Sequence, residues 1–236
     1  MMTPSKSFTD ITTQADCDQF PRDIETAVLV SLPACIVKVG RLSVDVVHEE
    51  LRRRNIAIQC PVGNRALRGC LVAQADRGLI FVDGEDPPYE LRFTVAHEAA
   101  HFIVDYLEPR AEAIAHFGDS IRAVLDHWRE PTPEENVDAF LGRVPLRAHV
   151  HLMARDGWGD HLHCESRADD LAYEMLAPER HVRKAVAATP DIRDAREAAT
   201  EILGSKFGLP GGACTDYAKR LYPRRPLTPL KKLLGF

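Results

Sequence analysis

Apolar side chains recur at helical spacing in three segments of the chain. Residues 91–107 carry them three or four positions apart, as on one helix face, and Pro109 predicts the end of that helix. Residues 166–177 repeat the pattern and stop before Pro178, and a third helix is predicted over residues 191–207. The apolar face of the first helix comprises Phe93, Ala96, Ala100, Ile103, Val104 and Leu107.

Shorter apolar runs predict strands and one further helix. Residues 68–82 predict a β-hairpin, because the runs CLVA and LIFV flank a turn at QADRG. Ser43 predicts a helix N-terminus, since its hydroxyl can accept a hydrogen bond from a first-turn N–H group. Ile56 and Ile58 predict a short strand by their alternation, and residues 144–153 predict an extended piece.

The composition is that of an ordinary globular protein, with 236 residues of which 45% are hydrophobic and 28% charged. The net charge of −5 excludes a generally basic nucleic-acid coat protein. The longest apolar stretch, residues 27–39, is too short to span a bilayer, and the N-terminal residues show no signal-peptide core. The six cysteines include no CxxC pair, so we expect a cytoplasmic protein with no disulfide framework and no membrane contact.

The segment His97-Glu98-Ala99-Ala100-His101 carries the strongest chemical signal. Residues four apart share a helix face, so both imidazoles can reach one metal ion. Zinc lowers the pKa of a bound water to about 7, and the adjacent Glu98 carboxylate can accept its proton during attack on a carbonyl. The alternative interpretation is a pair of half-exposed histidines on a surface helix.

A catalytic zinc needs a third protein ligand, and Glu165 is the first candidate. Glu165 opens the second predicted helix, and Asp169 follows one turn later on the same face, where it can accept a hydrogen bond from a metal-binding imidazole such as that of His97. Glu165 could equally be a first-turn acid that the helix dipole favours. In that case Glu174 or His163 is next in line as the ligand.

Further histidines lie between these two segments. His161, His163 and Glu165 alternate along the chain, and His149 and His151 have the same spacing. Alternate residues share a face of a strand, so a separate metal cluster is one interpretation, and solvated loop histidines are the other. We expect His161 or His163 to stabilise an oxyanion beside the zinc.

Two segments, RFTVAHEAAH from residue 92 and ESRADDLAYEMLAP from residue 165, resemble the ImmA/IrrE family of zinc metallopeptidases. That family typically shows RFTxAHExxH and later ExxANxFAxxLLxP, and it places a helix, a strand and a hairpin before the first motif. The resemblance covers residues 40–107 and 165–221.

The resemblance implies a small zincin-like α+β domain with a helical C-terminal region. It also implies that His97, His101 and Glu165 bind Zn2+ and that Glu98 is the general base. The implied substrate is a regulatory protein, a helix–turn–helix DNA-binding repressor whose cleavage releases a stress response or a mobile-element programme.

The chain departs from the family pattern at three places. Ala100 stands where Gly is usual, and Asp169 stands where Asn is usual. The 63 residues between His101 and Glu165 exceed the family spacing. We interpret residues 109–164 as an insertion that forms a covering or docking element beside the cleft.

The predicted organisation has three parts. Residues 1–21 form a flexible tail, residues 22–190 the metallopeptidase domain, and residues 191–236 a helical C-terminal region. That last region is either a helix–turn–helix-like element or a plain helical hairpin. Residues 215–236 carry six Lys or Arg and one Asp, so a weak nucleic-acid contact is one role for this basic tail and a solvated end is the other.

Two functions are open at this point. The first is a zinc endopeptidase that pairs an extended peptide against an edge strand near Leu79 to Val82. The second is a catalytically inactive, zinc-stabilised interaction module on the same fold. The complete motif favours the enzyme, because a structural zinc would not need Glu98 and would more often use cysteines. The motifs do not indicate an oligomeric state.

Overall fold

The computed structural model describes residues 19–58, 62–142, 149–155, 164–189 and 194–223. Contacts within the chain group it into two compact units, Met1–Leu176 and Ala177–Phe236. The α+β fold with a helical C-terminal region is confirmed. The bounds proposed for the tail and the two domains stay a prediction.

The first unit is built on a four-stranded sheet. Its strands are β1 (Ala34–Val39), β2 (Leu67–Gln74), β3 (Arg77–Asp83) and β4 (His149–Ala154), in the order β1-β3-β2-β4. β1 runs parallel to β3, whereas β2 is antiparallel to both β3 and β4. The predicted hairpin is β2 and β3.

The prediction of an edge strand at Leu79–Val82 is wrong, because β3 lies between β1 and β2. The apolar run before residue 40 supplies β1, which pairs with β3 on the side that the hairpin leaves open. The edge on the other side is β4, which comes from the predicted insertion.

Two helices precede the hairpin. Helix α1 (Ile24–Ser31) begins at Asp23, whose carboxylate accepts a hydrogen bond from the Thr26 amide. Helix α2 (Val44–Arg53) begins at Ser43 as predicted, with the hydroxyl accepting from the Val46 amide. The α2 side of the sheet holds an apolar cluster of Leu42, Val44, Val47, Leu51, Leu67, Cys70, Val72 and Phe81.

The predicted strand at Ile56 and Ile58 is wrong. These two side chains pack against the α2 cluster, but residues 56–58 form irregular chain. Alternation of two residues is too short a signal to separate a strand from an extended loop that lies on the core.

Helix α3 (Pro88–His101) carries the HExxH segment and is buried all round over residues 93–101. It contacts β2, β3, α1 and helix α7 (Cys164–Leu176). The apolar stripe found in the sequence is present, but the polar positions of the helix are enclosed as well. Burial of this kind places ionisable side chains where they need partners.

The helix does not end at Pro109, and that prediction is wrong. The chain continues from α3 through a π-helical segment, Phe102–Leu107, into α4 (Glu108–Phe117). The wider turn places Pro109 in the first turn of α4, where a missing N–H group is tolerated. Apolar periodicity does not show such a change of register.

Short helices follow α4 in the first unit. They are a 3₁₀ turn (Asp119–Ile121), α5 (Arg122–Leu125) and α6 (Pro133–Gly142). The buried Arg110 of α4 joins this region to the hairpin, since it pairs with Asp76 of the β2–β3 turn and with Asp126. A small core of Ala113, Ile121, Val124 and Leu125 lies beneath.

The second unit contains α8 (Glu179–Ala187), α9 (Ala195–Ser205) and α10 (Gly211–Leu221). α9 and α10 pack as a hairpin around a turn in which Gly208 has a positive φ of 67°. The basic residues beyond 223 lie outside the described residues, so the nucleic-acid contact stays a prediction. None of the described helices combines the length and apolar character that crossing a bilayer requires.

Candidate metal centre

Helix α3 brings the three motif side chains together inside the first unit. His97 and His101 are 3% and 1% exposed, and Glu98 is fully buried. The Nε2 atoms of the two histidines lie 3.1 Å apart. Two nitrogen ligands on a tetrahedral zinc, at about 2.0–2.1 Å from the ion, stand about 3.4 Å apart. The two rings are therefore spaced for a shared ion.

Each of these imidazoles has a carboxylate at its other nitrogen. His101 Nδ1 lies 2.5 Å from Asp105 Oδ2, on the π-helical segment. His97 Nδ1 lies 3.2 Å from Asp169 Oδ1, on α7. A carboxylate at Nδ1 holds the proton there and leaves Nε2 as the ligand atom. Asp169 stands where the sequence prediction requires it, and its contribution to metal affinity stays a prediction.

The donor set fits a metal ion on physical grounds. With the Nδ1 protons held by carboxylates, the two Nε2 atoms are both acceptors. Two acceptors at 3.1 Å inside a buried pocket repel each other unless a proton or a cation lies between them. A borderline-soft divalent ion that prefers imidazole meets this requirement.

A third histidine, His151, enters the same cluster from β4. One ligand atom from each of His97, His101 and His151 lies within 4.8 Å of the others. The His151 ring stacks on that of His101, with centroids 3.6 Å apart and planes at 18°. His151 Nδ1 lies 2.9 Å from Glu98 Oε2.

Sequence reasoning noted His151 without assigning it to this site. The usable signal was its neighbours: Val150 and Leu152 pack with the α2 cluster, so His151 must face the other side of the sheet, where α3 lies. Asp105 was missed as well, although it stands four residues after His101 on the same chain of helical turns.

The environment of Glu98 keeps its carboxylate charged. Burial raises the pKa of Glu98, but the charge and hydrogen bond of His151, together with His97 and His101, bring that pKa below its usual value. The other oxygen, Oε1, has no hydrogen-bond partner among the described residues. A Cβ atom on Gly69 of β2 would lie 2.8 Å from Oε1, so this glycine lets the carboxylate approach the sheet.

The remaining predicted site residues fall at the limit of what the structure describes. Glu165 lies in the first turn of α7, one turn before Asp169, but its side chain is outside the described residues. His161 and His163 lie outside them entirely. The roles of all three stay predictions.

Comparison with known proteins gives one match. Residues 51–123 match the model of Peptidase_M78, the IrrE N-terminal-like domain. The resemblance to the ImmA/IrrE family is thereby confirmed over this segment, which runs from the end of α2 through the hairpin and α3. Fewer than half of the 236 residues are covered, and His151, Glu165 and Asp169 lie outside the match. No curated protein and no solved structure matched the chain.

The match and the geometry agree on the general chemistry. The domain indicates a metallopeptidase-type function, and three buried or half-buried histidines are placed to bind a metal. Buried carboxylates at the imidazoles are what a metal site requires around its ligands.

Proposed function

We propose that this protein is a zinc-dependent endopeptidase with Glu98 as general base. The observation that carries the proposal is the position of Glu98. Its carboxylate is buried and charged beside two imidazoles whose Nε2 atoms are 3.1 Å apart. A structural zinc site has no use for such a group.

In this mechanism His97 and His101 hold the ion, with Glu165 as the predicted acidic ligand. A zinc ion bound there would polarise the substrate carbonyl and acidify a water molecule. Glu98 accepts the proton of the attacking water and passes it to the leaving amine. Asp105 and Asp169 keep the two imidazoles in the tautomer that presents Nε2.

The substrate side of the proposal follows the sheet. A peptide in extended form can add to an open strand edge by backbone hydrogen bonds. β4 is such an edge among the described strands, and it carries His151 into the metal cluster. A peptide paired to β4 would therefore pass next to Glu98. This replaces the edge first expected at β3.

The physiological target that we propose is a DNA-binding repressor, cut in the cytoplasm so that its genes are expressed. The family resemblance supports this choice. The inactive interaction module is the second candidate, and the full burial of Glu98 is the observation that favours it. One variant separates the two.

Glu98→Gln should keep the metal and the fold but lose all cleavage, because an amide cannot take up the proton. Wild-type and Glu98→Gln protein are incubated with host lysate, and the new N-termini are compared by mass spectrometry. Glu112→Gln, an exposed acid on α4, is the matched control and should cleave normally. Identical cleavage by Glu98→Gln would favour the inactive module, and cleavage only of proteins without a DNA-binding region would contradict the repressor.

A further inference from the structure

The three clustered histidines share one arrangement. His97 faces Asp169, His101 faces Asp105, and His151 faces Glu98, in each case through Nδ1. Since Nδ1 is occupied by a carboxylate, Nε2 is the atom that each ring offers to an ion. His151 is therefore prepared as a metal ligand in the same way as the two motif histidines.

This arrangement changes what Glu98 can do. One oxygen of Glu98 holds His151, and the other lies against the backbone at Gly69. The side chain is fully buried, so in this conformation neither oxygen can take a proton from a water beside the substrate. A general base must come within hydrogen-bond reach of the proton that it abstracts.

We propose that His151 is a third nitrogen ligand of the metal in a resting state, and that it must withdraw before Glu98 can act as the base. The part about Glu98 rests on the proposed function, whereas the part about the metal does not. With His151 withdrawn, His97, His101 and the predicted Glu165 hold the ion, and a position opens for water.

The strand that carries His151 is placed to respond to substrate. β4 pairs with β2 on one side, and its six residues are all only half-buried. Its C-terminal end is tied to the sheet by Arg155, whose guanidinium pairs with Asp83 and Asp86 at 2.7 and 2.8 Å. A peptide that adds to the open side of β4 contacts the same backbone that holds His151.

Zinc affinity, measured by competition with a chromophoric chelator, tests the metal part. His151→Ala should bind zinc about 10- to 100-fold more weakly than wild type, a range typical even for loss of a partner that only orients a ligand. His149→Ala is the matched control, because His149 lies two residues away on the same strand and face. It should bind zinc like wild type. In His151→Gln the side chain can still hydrogen-bond Glu98 but is a poor ligand, so its affinity should fall as well.

The resting-state part is tested at saturating zinc with a short unstructured peptide as substrate. Both His151 variants should cleave it several-fold faster than wild type, and bound Co2+ should show a changed visible spectrum in both variants but not in His149→Ala. Unchanged zinc affinity in the two His151 variants would overturn the proposal.

Weaker affinity with cleavage lost at saturating zinc would overturn the resting state, since His151 would then be a permanent ligand. If wild type and variants bind zinc as expected but none cleaves any peptide, the ligand assignment stands and the peptidase proposal fails. Unfolding curves establish that each variant is folded before these comparisons are made.

Discussion

The helix α3 and the strand β4 reach the same metal cluster from very different surroundings. α3 is enclosed by β2, β3, α1 and α7, and every residue from 93 to 101 is buried. β4 has one neighbouring strand and no fully buried residue. The ligands on the enclosed element are fixed, whereas the ligand on the edge element is held by few contacts. A site assembled in this way has a rigid part that binds and an adjustable part that can regulate.

The largest effect is expected from the enclosed element. His101→Ala should lose most of the metal and all cleavage, because one of two ligands four residues apart is gone. Metal content after gel filtration measures this, with His149→Ala as the comparison. Addition of a chelator should lower the melting temperature of wild type but not of His101→Ala, since only the folded, metal-binding form is stabilised by the ion. Full metal content in His101→Ala would mean that α3 is not the fixed part of the site.

Gly69→Ala tests how tightly α3 packs on the sheet. The added methyl group would lie 2.6 Å from Thr94 Cγ2 and 2.8 Å from Glu98 Oε1. Overpacking of this kind costs typically about 1–3 kcal/mol of the free energy of unfolding, measured by denaturant titration. A Cβ on Gly63 would meet nothing within 4 Å, so Gly63→Ala should leave stability nearly unchanged. Equal stability of the two variants would contradict a rigid contact between β2 and α3.

Removal of the carboxylates at the motif histidines should have a graded effect. Asp105→Ala and Asp169→Ala are each expected to weaken zinc binding or slow turnover by about 10- to 100-fold, because the imidazole loses the partner that fixes its tautomer. The shorter contact, 2.5 Å at Asp105 against 3.2 Å at Asp169, predicts the larger loss for Asp105→Ala. Asp→Asn at either position should recover part of it. Unchanged affinity and turnover in both alanine variants would show that the rings are held in another way.

The smallest effect on stability is expected at the tie of β4. Arg155→Ala removes ion pairs of a guanidinium that is one-third exposed, so the free energy of unfolding should fall by no more than about 1 kcal/mol. Hydrogen exchange is the informative measurement, because amides of β4 should exchange faster while those of α3 stay protected. Arg77→Ala, at an exposed turn position, is the control. Uniform protection of β4 in Arg155→Ala would mean that the strand is as fixed as the helix.

The elements that the sequence predicted well are those with a single dominant cause. The turn between CLVA and LIFV, the hydroxyl of Ser43 and the apolar spacing of α3 each depend on neighbours within a few residues. The motif histidines were predicted for the same reason, since their geometry follows from helical spacing alone.

The elements that the sequence missed depend on contacts far apart in the chain. β1 pairs with β3 across more than 40 residues, and β4 with β2 across about 80, so no local pattern reveals which strand is the edge. His151 acquires its meaning only when β4 is paired in this register, because a shift by one residue would turn it away from α3. The π-helical segment escaped for a related reason, since one extra residue per turn leaves the apolar pattern almost intact.

That π-helical segment sets the phase between two otherwise regular helices. Deletion of one residue from Phe102–Leu107 would let the hydrogen bonding return to the α pattern, and everything beyond would rotate by about 100°. Arg110 would then turn away from Asp76 and Asp126, and the following helices would lose their connection to the hairpin. Asp105 would shift against His101 in the same event. This short stretch therefore behaves as a gear tooth, and its length should be far less variable than its composition.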